Sequence, residues 1–274
     1  MRTHRVLVVE HERETTLDRM SGISGHSDCV VEVVRPGEGQ PLPESPRRDG
    51  WDGVLVLGGE MAAWEDDVAP WLPAVRVLLR QSVEERVPTL GICLGAQLLA
   101  MAAGGHVCRG ATGPEVGVLH VELAAAARDD PFLRRLPAVI LAPQGHSDVV
   151  VELPPGAVAL GSSARYPHQV FRLGPLAWGI QYHPEVSRAV LATWLEGHRG
   201  DLAARGSTPE HELEVFDRSD DDLFASAALH ARAFADVVRD AAAARANGGW
   251  AAQHPPYPAR HLPASGDVVE AGPA

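Results

Sequence analysis

Cys93 stands between two glycines in Gly91-Ile92-Cys93-Leu94-Gly95, where an apolar stretch (87–92) hands over to helix formers (94–103). The pentapeptide has the form of the G-x-S-x-G nucleophile elbow, with sulfur in place of oxygen. Its glycines let the backbone pack closely around a strained residue whose side chain must project. The same turn aims the Leu94 amide at a bound carbonyl, and the start of a helix favours a thiolate. A free thiol has a pKa of about 8.5, so only a few per cent is ionised near neutrality and a base is required. Alone, the motif divides evenly between a nucleophile and a small, inert core residue.

A second stretch tips that balance. Trp178-Gly179-Ile180-Gln181-Tyr182-His183-Pro184-Glu185 reads as an apolar strand ending in a histidine and a carboxylate two residues apart. In an extended segment, residues i and i+2 face the same way. Glu185 can then hold the imidazole while the imidazole faces the thiol, the base-and-orienter logic of a catalytic triad.

These residues need strands to carry them. Short β-branched runs at Arg5–Val9, Cys29–Val34 and Trp51–Leu57 suit buried parallel strands, the last stopping at Gly58-Gly59. Leu72, Val75, Leu78, Leu79 and Val83 recur at helical spacing. Strands alternating with helices predict an α/β fold, a doubly wound and mostly parallel sheet flanked by helices. Ligand sites then fall at the carboxyl ends of the strands, where Gly58-Gly59 and Cys93 lie. The second half breaks into shorter runs at 116–123, 138–141, 147–152, 157–161, 168–172 and 177–181, which predict added, partly antiparallel strands. Helices are expected over 187–197 and 221–246, the second N-capped beside Ser219 and Asp220-Asp221-Asp222. Residues 1–246 read as one domain, and 247–274, rich in Pro, Gly and Ala, as a disordered tail.

Composition removes several classes of function. The chain has 274 residues, 45% of them hydrophobic, and a net charge of -12, which opposes a general nucleic-acid role. All 24 basic residues are arginine. Without lysine there is neither a P-loop nor Schiff-base chemistry. No apolar run approaches the roughly 18 residues of a membrane helix, and no signal peptide is legible, so a cytoplasmic protein without membrane contact is expected. Cys29, Cys93 and Cys108 lack zinc-site spacing and are expected to be reduced. His146 and Asp148 have no third ligand at matching spacing, so neither a metal nor a cofactor is expected.

Taken in order and spacing, VLGG (56–59), LGICLGAQLLA (90–100), QGHSD (144–148) and WGIQYHPE (178–185) resemble a class I, triad-type glutamine amidotransferase domain, in its GMP-synthase-like stand-alone branch. The likeness runs from about Arg5 to Trp194 and more weakly over 228–238. It implies the flavodoxin-like fold of that family and hydrolysis of the glutamine γ-carboxamide through a γ-glutamyl thioester. By resemblance Cys93 attacks, His183 shuttles the proton to the departing ammonia and Glu185 orients His183. Gly59 and Leu94 match the oxyanion-hole positions, and Gln97, His146, Ser147 and Asp148 match substrate-binding ones. Many relatives carry Gly-Gly-Pro where this chain has Gly58-Gly59-Glu60, so a less fixed oxyanion loop with an acid at the pocket mouth is expected. Three readings follow: a glutaminase serving a separate synthetase subunit, a stand-alone hydrolase of γ-glutamyl amides, and a non-enzymatic regulatory module on the same fold.

Overall fold

The alternation of apolar residues along the first strands decides how the sheet is covered. The computed structural model describes residues 2–247. The tail expected from 247 onward lies, Asn247 apart, outside the described residues. The chain opens with β1 (His4–Val9), β2 (Cys29–Val34) and β3 (Gly53–Val56), then α1 (Leu72–Glu84), β4 (Thr89–Ile92) and α2 (Leu94–Ala102). It continues through β5 (His106–Arg109), β6 (Glu115–Leu123), β7 (Val139–His146), β8 (Asp148–Glu152), β9 (Val158–Ser162), β10 (Val170–Leu173) and β11 (Ala177–Ile180). Four helices follow: α3 (Arg188–Gly197), α4 (Arg199–Ala204), α5 (Pro209–Arg218) and α6 (Asp220–Ala246).

Nine strands form one sheet in the order β2-β1-β3-β4-β11-β10-β9-β6-β7. From β2 through β11 the neighbours run parallel, and from β10 onward they run antiparallel. This is the doubly wound, mostly parallel sheet with added antiparallel strands that the sequence predicts. Leu7, Val9, Val54 and Val56 face α1 and α2, while Val6, Val8, Leu55, Leu90 and Ile92 face Phe234 and Val238 of α6. Each fully buried aliphatic or aromatic side chain contributes about 1.5–3 kcal/mol. A third cluster, around Val116, Leu191, Leu195 and Phe216, seats α3 and α5 on β6.

Several expectations need correction. β5, which pairs antiparallel with β8 in a separate ribbon, was absent from the sequence reading, as were α4 and α5. β7 runs on to His146 rather than ending at 141. Ser219 does not cap α6 through its side chain, because it closes α5 as α6 begins. Asp220 instead pairs with Arg19 at 2.5 Å. No helix of the described residues is long and apolar enough to cross a membrane.

Two buried polar contacts fix the strand that leads to His183. Asp130 accepts hydrogen bonds from the Trp178 indole at 3.0 Å and from the Phe132 and Leu133 amides, and pairs with Arg172 of β10 at 2.9 Å. On the α6 side, His230 Nδ1 donates to the Ser226 carbonyl (2.7 Å) and Nε2 accepts from the Tyr182 hydroxyl (2.9 Å). Burial pulls the His230 pKa down to about 4, and it does the same to His11. A histidine held below its unfolded value of about 6.5 contributes fully above that pH and loses its contribution as pH falls toward about 4. The unfolding free energy in urea should therefore fall between about pH 7 and about pH 5, and fall less steeply in His230→Gln. A flat wild-type profile over that interval would contradict this account.

Candidate active site

At the end of β4 the backbone turns abruptly. Cys93 has φ +50° and ψ -108°, and α2 begins at the next residue. A non-glycine residue in such a conformation costs about 1–3 kcal/mol, and the surrounding structure must enforce it. Here the Cys93 amide donates to the Ile180 carbonyl at 2.8 Å and its carbonyl accepts from the Gln97 amide at 3.0 Å. A Cβ on Gly95 would run into the Val56 carbonyl, and one on Gly91 into the Gly95 carbonyl. The two glycines are thus required by close approach of α2 to β3 and β4. The Cys93 side chain emerges at the positive end of the α2 dipole.

His183 follows β11, with its amide bonded to the Pro143 carbonyl of β7 at 2.9 Å. Its Nδ1 lies 2.7 Å from Glu185 Oε1. The contact arises in a turn at Pro184-Glu185, not in the extended segment expected from sequence. Both side chains are buried, and Nε2 has no hydrogen-bond partner. The ring is wedged between Trp194 of α3, 4.6 Å away between centroids, and Gly58, where a Cβ would sit 3.0 Å from His183 Cε1 and 3.6 Å from Cys93 Cβ. Gly58 therefore lets the imidazole and the thiol share one small space. Burial opposes the imidazolium, but the charges of Glu185 and then Cys93 outweigh it and push His183 up to about 10. With Nδ1 facing the carboxylate, Nε2 is the nitrogen left to exchange a proton with the thiol.

Cys93 and His183 open into a cleft of about 310 Å³, bordered also by Gly59, Leu94, Gln97, His146, Ser147 and Asp148. The structure thus brings together every residue singled out from sequence, with Glu185 behind His183 rather than on the cleft wall. Two of them have most of their hydrogen-bonding capacity taken within the protein. Gln97 Nε2 donates to the Asp148 carbonyl (2.9 Å) and to Gln181 Oε1 (3.3 Å). His146 faces the Asp148 carbonyl through Nδ1 (3.1 Å) and Glu115 through Nε2 (3.2 Å).

Asp148 is different. Its Oδ1 is buried without a hydrogen-bond partner, 3.9 Å from the mostly exposed Arg109. Burial raises the Asp148 pKa while Arg109 opposes the rise. Together they present a carboxylate and a guanidinium, a match for a zwitterionic amino-acid end. Sequence reasoning missed Arg109, which sits on the unrecognised β5, and missed Thr193 and Trp194 of α3 and His198 just after it, which line the cleft. Glu60 is exposed at the mouth, and its amide donates to Glu12 Oε1 at 3.3 Å. A proline there would lack that donor, so a hydrogen bond tethers the loop expected to be less fixed.

Elsewhere the cysteines are free, and burial pushes the Cys29 thiol up to about 11, away from reactivity at neutral pH. Among the described residues no group of three or more His, Cys, Asp or Glu could hold a metal ion.

Known proteins resemble this chain in sequence and fold. Residues 23–194 match the family model described as "Glutamine amidotransferase class-I". The chain belongs to the class-I glutamine amidotransferase family. It is 30% identical to gamma-glutamyl peptidase 4 of Arabidopsis thaliana over 152 residues, 55% of this chain and 60% of that protein. It is 37% identical to the glutamine-hydrolyzing GMP synthase of Thermomicrobium roseum over 141 residues, 52% of this chain and 24% of the synthase. The matched region spans less than two thirds of either relative. A solved glutamine amidotransferase from Thermotoga maritima, 28% identical, gives a TM-score of 0.73 and covers 87% of this chain and 99% of that one. A glutamine amido transferase from Methylobacillus flagellatus, 24% identical, shares the fold with a TM-score of 0.75 over 86% of this chain and 96% of its own.

The His183 pKa can be measured by NMR. Its imidazole should titrate near 10 in the wild type and well below that in Glu185→Gln, since the carboxylate is the larger of the two charges raising it. A titration unmoved by the substitution would remove Glu185 from the role of orienter.

Proposed function

We propose that residues 1–246 form one glutaminase-type domain in which Cys93, His183 and Glu185 hydrolyse a γ-glutamyl amide, glutamine being the simplest. The observation that carries this reading is the strained Cys93 facing an imidazole whose other nitrogen is held by Glu185 at 2.7 Å. The Cys93 thiolate adds to the γ-carbonyl carbon. The oxyanion forms beside the amides of Gly59 and Leu94, each such donor contributing about 3–4 kcal/mol to the transition state. Collapse breaks the C–N bond, and the leaving amine takes its proton from His183 Nε2. Water then attacks the thioester, giving its proton to His183, and releases glutamate and the thiolate. Asp148 and Arg109 hold the α-ammonium and α-carboxylate, beside Gln97 and Ser147.

Ammonia released from glutamine would serve a separate synthetase, as the likeness to glutamine-hydrolyzing GMP synthase supports. A second reading, hydrolysis of larger γ-glutamyl amides, is favoured by one feature. Beyond Cys93 the cleft continues to Thr193, Trp194 and His198, leaving room for a leaving group larger than ammonia. The likeness to a gamma-glutamyl peptidase agrees with it. An odd number of free cysteines fits a reducing, cytoplasmic setting.

Steady-state assays on glutamine and on γ-glutamyl amides test the proposal. Cys93→Ala should abolish turnover while keeping the wild-type melting temperature, and His183→Ala should cost about as much, because the two act as a unit. Glu185→Gln should cost less, roughly 10²- to 10⁴-fold in kcat. Higher kcat/KM for bulkier amides selects the second reading. A wild type inactive on every amide would leave the fold as a binding module.

A further inference from the structure

A buried histidine–carboxyl pair lies beside the cleft and outside the triad. Glu115, the first residue of β6, stands directly across from His146, the last of β7. Their side chains are each only 2% exposed, with Nε2 3.2 Å from Oε2. The same Glu115 oxygen accepts from Gln169 Nε2 at 2.6 Å, and Gln169 Oε1 accepts in turn from Gln144 at 3.0 Å. Burying ionisable groups in this way seldom stabilises a fold, since apolar residues of similar volume often do as well. The pair therefore needs another explanation.

Its geometry supplies one. Only Ser147 separates β7 from β8, so the chain leaves one sheet and enters another within a single residue. His146 Nδ1 donates to the Asp148 carbonyl, closing that turn like a staple at 3.1 Å. Gln97, in the first turn of the helix that Cys93 opens, donates to the same carbonyl at 2.9 Å. One backbone oxygen thus anchors the nucleophile's helix and the loop that carries the Asp148 carboxylate, whose Oδ1 has no hydrogen-bond partner. With Nδ1 committed to a carbonyl, the ring can turn only if Nε2 lets go of Glu115.

We infer that Glu115 is a positioning residue for substrate binding: through His146 it sets the Ser147-Asp148 turn and so the Asp148 carboxylate that receives the substrate's amino-acid end. This rests on the reading of the cleft given under Proposed function. One proton shared between Nε2 and Oε2 satisfies the pair while Gln169 donates to the same oxygen. An amide cannot do this: its oxygen can accept from Gln169 but cannot donate to the Nε2 of a neutral ring, and it carries no charge to hold a protonated one. Glu115 touches neither the thiol nor the scissile bond, so its loss should act on binding and spare the chemistry.

The test compares wild type, Glu115→Gln and Glu115→Asp on L-glutamine, with alkylation of Cys93 by iodoacetamide, a probe that has no amino-acid end, as the second readout. Displacing a positioned group by about 1 Å can cost up to about 100-fold. Glu115→Gln should raise KM roughly 10- to 100-fold, leave kcat within about threefold and leave the alkylation rate unchanged. Glu115→Asp, one methylene short of the ring, should give the same split and carries the test if the amide variant fails to fold. An unchanged KM would overturn the inference. So would kcat and alkylation rate falling together with the melting temperature, which is what a merely structural role produces. A wild type that alkylates normally but hydrolyses no amide would instead refute the underlying reading of the cleft.

Discussion

The site depends on one backbone conformation, the positive φ at Cys93. Strain of about 1–3 kcal/mol persists only where neighbours leave no alternative, and here three elements remove it. β11 binds the Cys93 amide, α2 binds its carbonyl, and β3 presses its Val56 carbonyl against Gly95. Those elements also lead to the rest of the site. β3 runs into Gly58-Gly59 and β11 into His183, so the packing that bends the chain at Cys93 also delivers the imidazole and the Gly58-Gly59 loop. Gly58 is where they meet, with no room for a side chain between thiol and ring.

Charge placement then separates two kinds of buried histidine. His230 is kept neutral by burial alone, its two nitrogens served by a carbonyl and a hydroxyl. His183 is equally buried but sits against Glu185 and Cys93, and its pKa moves up instead. The signs are opposite. His230 withdraws stability as pH drops below about 6.5, whereas His183 withdraws it as pH rises from about 6.5 through about 10. These two histidines together therefore contribute most near neutrality, where Glu185 holds a protonated His183 and His230 remains uncharged.

Much of this was legible in the residues. β1 to β4, α1 and α2 announce themselves because buried parallel strands are continuous apolar runs and α1 carries a one-sided apolar stripe. Cys93, His183 and Glu185 were legible only in combination, since a glycine-flanked cysteine alone could be a core residue and a His-Pro-Glu step alone an ordinary polar turn. What stayed hidden depends on distant pairing. β5 has only four residues, two of them a histidine and an arginine, and exists because β8 pairs with it. Arg109 was lost with it. Glu115 and His146 are 31 residues apart, and only the β6–β7 register brings them face to face. The His183–Glu185 contact was foreseen for the wrong reason, since a turn and not an extended segment makes it.

Acid-quenched intact-protein mass spectrometry of the wild type mixed with excess L-glutamine, followed by peptide mapping, reads the covalent step itself. The proposed function predicts a transient γ-glutamyl adduct confined to the peptide carrying Cys93 and lost on treatment with hydroxylamine, as a thioester must be. Amide hydrolysis without any adduct, or an adduct on Cys29 or Cys108, would contradict it.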